Sequence, residues 1–374
     1  MKILENSQII VIKIGSMLVR GDTIDSVNQE WINSLASDVN NFINMGKRLV
    51  IVSSGGVALG RKALGISPDI SPNKIPLAKK QAASAVGQYH VFNAYHKAFQ
   101  KLGITAAQVL LTISETENRR MNLNARETLY TLLENNIIPV INENDVVSTE
   151  EIRFGDNDRL AVRVAQMIQA DTVILFSTID GLYTDNPQMN DNAEHIPVIE
   201  SLGDEHTKMA GEALSGLSTG GMKSKIEAAQ NATQSGIDLI ITDGQEDNPL
   251  TKLLDNKRAS IFLAQQSNQS ARKNWIGTHM NPQGIITIDE GAYTALKNGK
   301  SLLPIGIVHI DGTFQRGDVI AIHTADQQKI AMGLSAYASE DAKRIIGKNS
   351  REISNILGYA GRNEVIHRND MVLV

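Results

Sequence analysis

Six short apolar runs recur along the first two thirds of the chain: IIVIKIG (9–15), RLVIV (48–52), AAQVLL (106–111), IIPVIN (137–142), TVILF (172–176) and DLIIT (238–242). Most are rich in β-branched residues, and a helix-length stretch separates every one from the next. Strands that arrive singly with helices between them are joined by crossovers, so they pair in parallel, and a parallel sheet is covered on both faces. The predicted fold is therefore α/β: an open, mainly parallel sheet with helices on both faces. The spacers agree. In VNQEWINSLASDVNNFINMG (27–46), Trp31, Leu35, Val39 and Phe42 recur at three- and four-residue steps, and Gly46 is placed to close the helix. Comparable patterns fill 76–102, 117–135, 157–168 and 222–235.

Beyond about residue 258 the texture changes. ASIFLAQQSNQSARKN (259–274) is rich in Ser, Gln and Asn, and short strands with turn signals follow it, among them GIITIDEG (284–291) and IVHIDGTFQRGDVIAIH (307–323). A first domain over 1–258, a linker over 259–274 and a small, mostly β domain over 275–374 are expected, in keeping with a length of 374 residues. EHIPVIE (194–200) and DEHTKMAGEAL (204–214) read as an ordinary extension and a helix.

Several function classes are excluded or disfavoured. The absence of cysteine rules out disulfides, thiolate metal sites and cysteine nucleophiles. Eight histidines show no metal-ligand spacing, and there is neither an HExxH pair nor a G-x-S-x-G elbow. Residues 275–374 carry ten Lys/Arg and ten Asp/Glu within a chain of net charge −5, so neither domain is a basic nucleic-acid binder by composition. The first apolar run is cut by Lys13 and is too short to span a membrane, which points to a soluble, cytoplasmic protein.

In an open parallel sheet, ligands bind beyond the carboxyl ends of the strands, so the residues following each run belong together. They are Gly15 and Ser16; Ser53, Ser54, Gly55 and Gly56; NENDVV (142–147); STIDGLYTDNP (177–187); and Thr242, Asp243 and Gly244. Lys13 is the sharpest oddity, because an ammonium at the end of a buried strand is costly without an anion. It either snorkels or pairs with a structural carboxylate, or it meets an anionic ligand; the glycines at 15, 55 and 56 favour the ligand, since they let backbone N–H groups approach a phosphate. Gly155, Asp156, Asn157 and Asp158 precede a helical pattern, where a helix cap accounts for one acidic residue but not two. GLSTGGMKSK (216–225) nearly spells a P-loop, yet Met222 intrudes and the segment lies late in the domain rather than after the first strand. Lys225, taken alone, reads as a solvated helix face, as is usual for lysine.

With these loops assembled, the chain resembles the glutamate 5-kinase family, an amino acid kinase domain followed by a PUA domain. The likeness is carried by VIKIGS, VSSGGVALGRKALG, LNARETL, PVINENDVV, FGDNDRLA, GLYTDNP and STGGMKSKIEAA, and in the second domain by ITIDEGA, SLLPIGI, RGDVI and HRNDMVLV. It implies transfer of the γ-phosphate of ATP to the side-chain carboxylate of L-glutamate, the first step toward proline. It further implies that Lys13 and Lys225 flank the transferring phosphoryl group and that Asp158 orients both ammonium groups. Ser54, Asp145 and Asn157 match the family's glutamate-binding positions. Lys13, Gly15, Ser177, Thr178 and the loop Thr219, Gly220, Gly221, Met222, Lys223, Ser224 and Lys225 match its ATP-binding positions. Many relatives carry Asp where Thr178 stands, and a hydroxyl there brings no charge. Mg²⁺ is expected through the ATP phosphates, with no protein metal ligands. The resemblance also implies proline as feedback inhibitor, a homodimer or homotetramer, and functional coupling to glutamate-5-semialdehyde dehydrogenase. PUA domains elsewhere bind RNA, but the balanced charge of residues 275–374 argues against strong sequence-independent RNA affinity. Relatives that act on acetylglutamate, aspartate, carbamate or UMP would normally lack a PUA-like tail.

Overall fold

The computed structural model describes the chain apart from residues 24–25, 68, 72–73, 149–155, 204–205, 207–208, 210–220, 267–281 and 374. It divides into two units, Met1–Asn268 and Gln269–Val374. All six expected strands form: β1 (Ile9–Ile14), β2 (Arg48–Ser53), β3 (Ala106–Leu111), β4 (Ile138–Glu143), β5 (Thr172–Ser177) and, after three two-residue strands, β9 (Asp238–Asp243). Those short strands are β6 (Leu182–Tyr183), β7 (His195–Ile196) and β8 (Val198–Ile199). The expected helix over 204–214 lies almost wholly outside the described residues.

The linker expectation needs correction at its start. Residues 259–262 form β10 (Ala259–Phe262), antiparallel to β9 and parallel to β8, so the first unit extends past residue 258. Polar neighbours disguised this strand; its burial comes from pairing with β9, which the local pattern of ASIF does not reveal. Residues 267–274 of the expected linker lie outside the described residues.

The eight-stranded sheet runs β3-β4-β2-β1-β5-β9-β10-β8 and is parallel except at β9–β10. Its centre explains where the chemistry sits. Successive side chains of β1 point to opposite faces. Ile10, Ile12 and Ile14 join Trp31, Leu35, Val39 and Phe42 in one core, while Val11 joins the core beneath the helices Asp156–Ile168 and Gly221–Gln234. Lys13 follows Val11 on that second face, at the carboxyl edge. The helix Gln29–Asn44 ends as expected, with Gly46 at φ 79° supplying a left-handed turn that a side chain resists.

The second unit holds a five-stranded sheet of order β12-β11-β13-β14-β15, built from β11 (Gly284–Ile288), β12 (Ile307–Gly312), β13 (Val319–His323), β14 (Lys329–Leu334) and β15 (Met371–Leu373). Ile286, Ile288, Ile310, Ile320, Ile322 and Ile366 centre its own core. Among the described residues no helix is long and apolar enough to cross a membrane.

Candidate active site

Asp158 lies in the first turn of the helix Asp156–Ile168 and is wholly buried. One carboxylate oxygen stands 2.6 Å from Lys13 Nζ, and the other accepts a hydrogen bond of 2.9 Å from Lys225 Nζ. Ser224 Oγ adds a donor at 3.3 Å. Both lysines are buried, at 7% and 5% exposure, so neither is the solvated residue that its type usually is. Lys13 therefore has a carboxylate partner, but shares it. Two ammonium groups on one carboxylate leave a net positive charge almost out of water, a costly arrangement that an anionic ligand at the sheet edge relieves.

Burial alone raises the Asp158 carboxyl, but the charges and hydrogen bonds of Lys13 and Lys225 outweigh it and hold the group at about 2. Burial pushes the Lys13 ammonium down; Asp158 pulls it back up and Lys225 adds to the lowering. Asp158 is thus a fixed anion that clamps two cations, not a proton donor.

Beside this clamp lies a cluster of polar side chains. β2 ends in Ser53, Ser54 follows, and Gly55 adopts φ 112°, turning the chain into the helix Gly56–Gly60. Asn157 Nδ2 donates to Ser54 Oγ at 2.7 Å, Ser53 O at 3.1 Å and Asn142 Oδ1 at 3.2 Å. Its Oδ1 is buried with no hydrogen-bond donor among the described residues. A buried acceptor in that state costs about 1–3 kcal/mol, which a ligand donor removes. Asp145, also buried, accepts a hydrogen bond from Ser84 Oγ on the helix Leu77–Gln100. The cluster thus joins a carboxylate acceptor, an amide acceptor and a hydroxyl, a set suited to an ammonium group and a carboxylate on one small molecule.

The nucleotide-side candidates are less gathered. Gly15 N donates to Phe176 O at 3.2 Å, and Ser177 O accepts from Gly244 N at 2.9 Å, which ties together the ends of β1, β5 and β9. Ser177 is half-buried and Thr178 exposed. Thr219 and Gly220 lie outside the described residues, and Gly221 opens the helix Gly221–Gln234. On that helix Met222 packs against the core, Lys223 is exposed and Lys225 turns inward. Residues two apart on a helix differ by about 200° in direction, so only one of the two lysines can join Asp158. Met222 is the apolar anchor of the loop's end, not a defect in a P-loop.

Sequence reasoning singled out Lys13, Ser54, Asp145, Asn157, Asp158 and Lys225, and the structure brings Lys13, Asp158 and Lys225 into one cluster, with Asn157 bonded to Ser54. It missed Ser84 and noted Asn142 only as part of a loop. Ser84 shares the buried side of its helix with Gly87, Val91, Ala94 and Ala98, so a lone hydroxyl on an apolar stripe was the available signal.

Among the described residues, no three His, Asp or Glu side chains converge as a cation site. Residues 8–243 match the amino acid kinase family and residues 284–357 the PUA domain. The first unit therefore holds an amino acid kinase domain, and a PUA domain follows it in the chain. The chain is 47% identical over 374 residues to the glutamate 5-kinase of Ruegeria sp. strain TM1040, covering all of both proteins. It is 46% identical over 370 residues to that of Rhodopseudomonas palustris strain BisA53, covering 99% of this chain and 97% of the other. The UMP kinase of Ureaplasma parvum is 16% identical with a TM-score of 0.47, covering 69% of this chain and 99% of that one. At the identity of the first two relatives, over the full length, the chain belongs to the glutamate 5-kinase family within the amino acid kinases.

Proposed function

We propose that this protein transfers the γ-phosphoryl group of ATP to the side-chain carboxylate of L-glutamate, giving L-glutamyl 5-phosphate and ADP. The observation that carries this reading is the buried Lys13–Asp158–Lys225 clamp, with Asn157, next to Asp158 in the chain, bonded to Ser54. The side-chain carboxyl of free glutamate titrates at about 4.3, so the nucleophile is already ionised at neutral pH and needs no general base. One of its oxygens attacks the γ-phosphorus as the bond to the bridging β–γ oxygen breaks, and the electron pair leaves on ADP. The barrier lies in bringing an anion onto a polyanion, and positioned positive charge lowers it. Lys13 and Lys225 supply that charge from two sides, and Asp158 fixes the geometry of both. Asp145 and the open Oδ1 of Asn157 accept from the amino group of glutamate, while Ser54 orients the substrate.

The nucleotide extends from Gly15 and the loop Thr219–Lys225 toward Ser177 and Thr178. Lys223, exposed on its helix, contributes attraction at most from the rim. Both Asp158 oxygens are taken by lysines, so the donor set fits Mg²⁺ carried on the ATP phosphates and not an ion held in a protein cage. When bound, Mg²⁺ neutralises phosphate charge.

Proline carries the same amino and carboxylate groups as glutamate without the reacting carboxylate, which supports feedback inhibition at the glutamate site. Val86 and Tyr89, exposed at 37% and 64% on the helix Leu77–Gln100, support a homodimer or homotetramer. An acyl phosphate is readily lost to water, which supports coupling to glutamate-5-semialdehyde dehydrogenase. A cytoplasmic location agrees with the absence of cysteine. The second unit acts on stability or regulation, since the balanced charge of residues 275–374 gives little basis for RNA affinity.

The test is ADP release with Mg²⁺-ATP and, in turn, glutamate, acetylglutamate, aspartate, carbamate and UMP. Turnover with glutamate, suppressed by added proline, is expected. Turnover confined to any other acceptor refutes the assignment.

A further inference from the structure

We infer that Ser84 is a positioning residue for the amino-acid substrate: acting through Asp145, it sets the affinity for glutamate and not the rate of phosphoryl transfer. This rests on the reading of Ser54, Asp145 and Asn157 as the glutamate pocket. Serine inside a helix usually donates to a carbonyl of its own preceding turn. Ser84 instead donates to Asp145 Oδ2, 61 residues away, from a position with no exposure to solvent. Asp145 is itself only 6% exposed, and a buried carboxylate takes its orientation from the donors that reach it.

The helix is brought close enough for this contact by three glycines. A Cβ on Gly60 would stand 1.8 Å from Ala83 O, and one on Gly87 would stand 1.8 Å from Gly56 O, so the helices Gly56–Gly60 and Leu77–Gln100 meet backbone to backbone. A Cβ on Gly56 would lie 3.0 Å from Ser84 Oγ and 3.5 Å from Asn142 Nδ2. Ser84 and Asn142 therefore flank one point, Ser84 bonded to Asp145 and Asn142 accepting from Asn157. The two acceptors proposed for the substrate amino group are each braced by a neighbouring polar side chain, and the Ser84 brace comes from a helix that carries no other site residue. Ser84 takes no part in the Lys13–Asp158–Lys225 contacts, so its loss changes ground-state binding and leaves the clamp in place.

The experiment compares the full-length parent and Ser84→Ala by initial rates at varied glutamate and varied ATP. A hydrogen bond to a charged group predicts a rise in glutamate KM of about tenfold, with kcat and ATP KM within about twofold of the parent. Ser84→Cys keeps only a weak donor on a longer bond, and a smaller rise is expected, which carries the test if Ser84→Ala does not fold. In an Asp145→Asn background, Ser84→Ala should add little, because both changes disturb one contact. An unchanged glutamate KM in the folded variant, additive effects with Asp145→Asn, or a fall in kcat matched by a rise in ATP KM overturns the positioning role. The parent in the same run separates the two claims. A parent that consumes no ATP with glutamate sinks the glutamate assignment, whereas an active parent matched in KM by Ser84→Ala sinks only the role of Ser84.

Discussion

At the scale of residues, one carboxylate between two ammonium groups organises the site. In the proposed mechanism either lysine faces the transferring phosphoryl group, so Lys13→Ala and Lys225→Ala should each lower kcat by about 10²–10³-fold while glutamate still binds. Single-turnover rates and glutamate binding measured separately check this, and unchanged turnover in either variant would place the catalytic charge elsewhere. The pH response has a definite sign. Lys13 is charged below its folded pKa and neutral above it, and burial lowers that pKa. Turnover should therefore fall on the alkaline side before the pH at which an ordinary lysine titrates, and a kcat profile level up to that pH would contradict it. Asp158, held at about 2 against an ordinary 3.8, stays ionised through the mildly acidic range. Its contribution to stability is present above the ordinary carboxylate pKa and is lost as pH falls toward about 2. Lys13 was legible from sequence because a cation in an apolar strand is conspicuous, whereas Ser84 was not, because serine occurs on helices of every kind.

At the scale of elements, the glycine contact between the helices Gly56–Gly60 and Leu77–Gln100 is the part most sensitive to small changes. Gly87→Ala would ordinarily favour a helix by about 1 kcal/mol, but here the added Cβ meets Gly56 O at 1.8 Å. The helices must separate, so a net loss of about 1–3 kcal/mol is expected in urea unfolding, together with a higher glutamate KM as Ser84 draws back from Asp145. A variant as stable as the parent, with unchanged KM, would show that the helices part freely. The six main strands were legible because their apolar runs are intrinsic to the sequence. β10 was not, because a four-residue strand owes its identity to the neighbour that pairs with it.

At the scale of the molecule, all the described site residues lie in the unit Met1–Asn268, and the second unit closes over its own apolar cluster. A chain ended at residue 266 should therefore retain glutamate turnover within severalfold of the parent, with its regulation or thermal midpoint altered. ADP release and thermal unfolding of the shortened chain test this; loss of all turnover in a folded product would mean that the second unit completes the site. The full-length chain should likewise show only weak, salt-sensitive RNA association, given ten cations against ten anions in residues 275–374.

The sequence by itself determined the run of crossover strands, the edge at which chemistry collects and the face of β1 on which Lys13 falls, because the two-residue strand period and the glycine-rich ends are local properties. Only the tertiary structure decided that Lys13 and Lys225 share the single carboxylate of Asp158, that Lys225 and not Lys223 turns inward, and that Ser84 reaches Asp145. Periodicity assigns a side chain to a face, but which charge stands opposite depends on how distant helices pack. In this protein the packing that carries Ser84 to Asp145 is set by glycines whose missing Cβ atoms let two backbones touch.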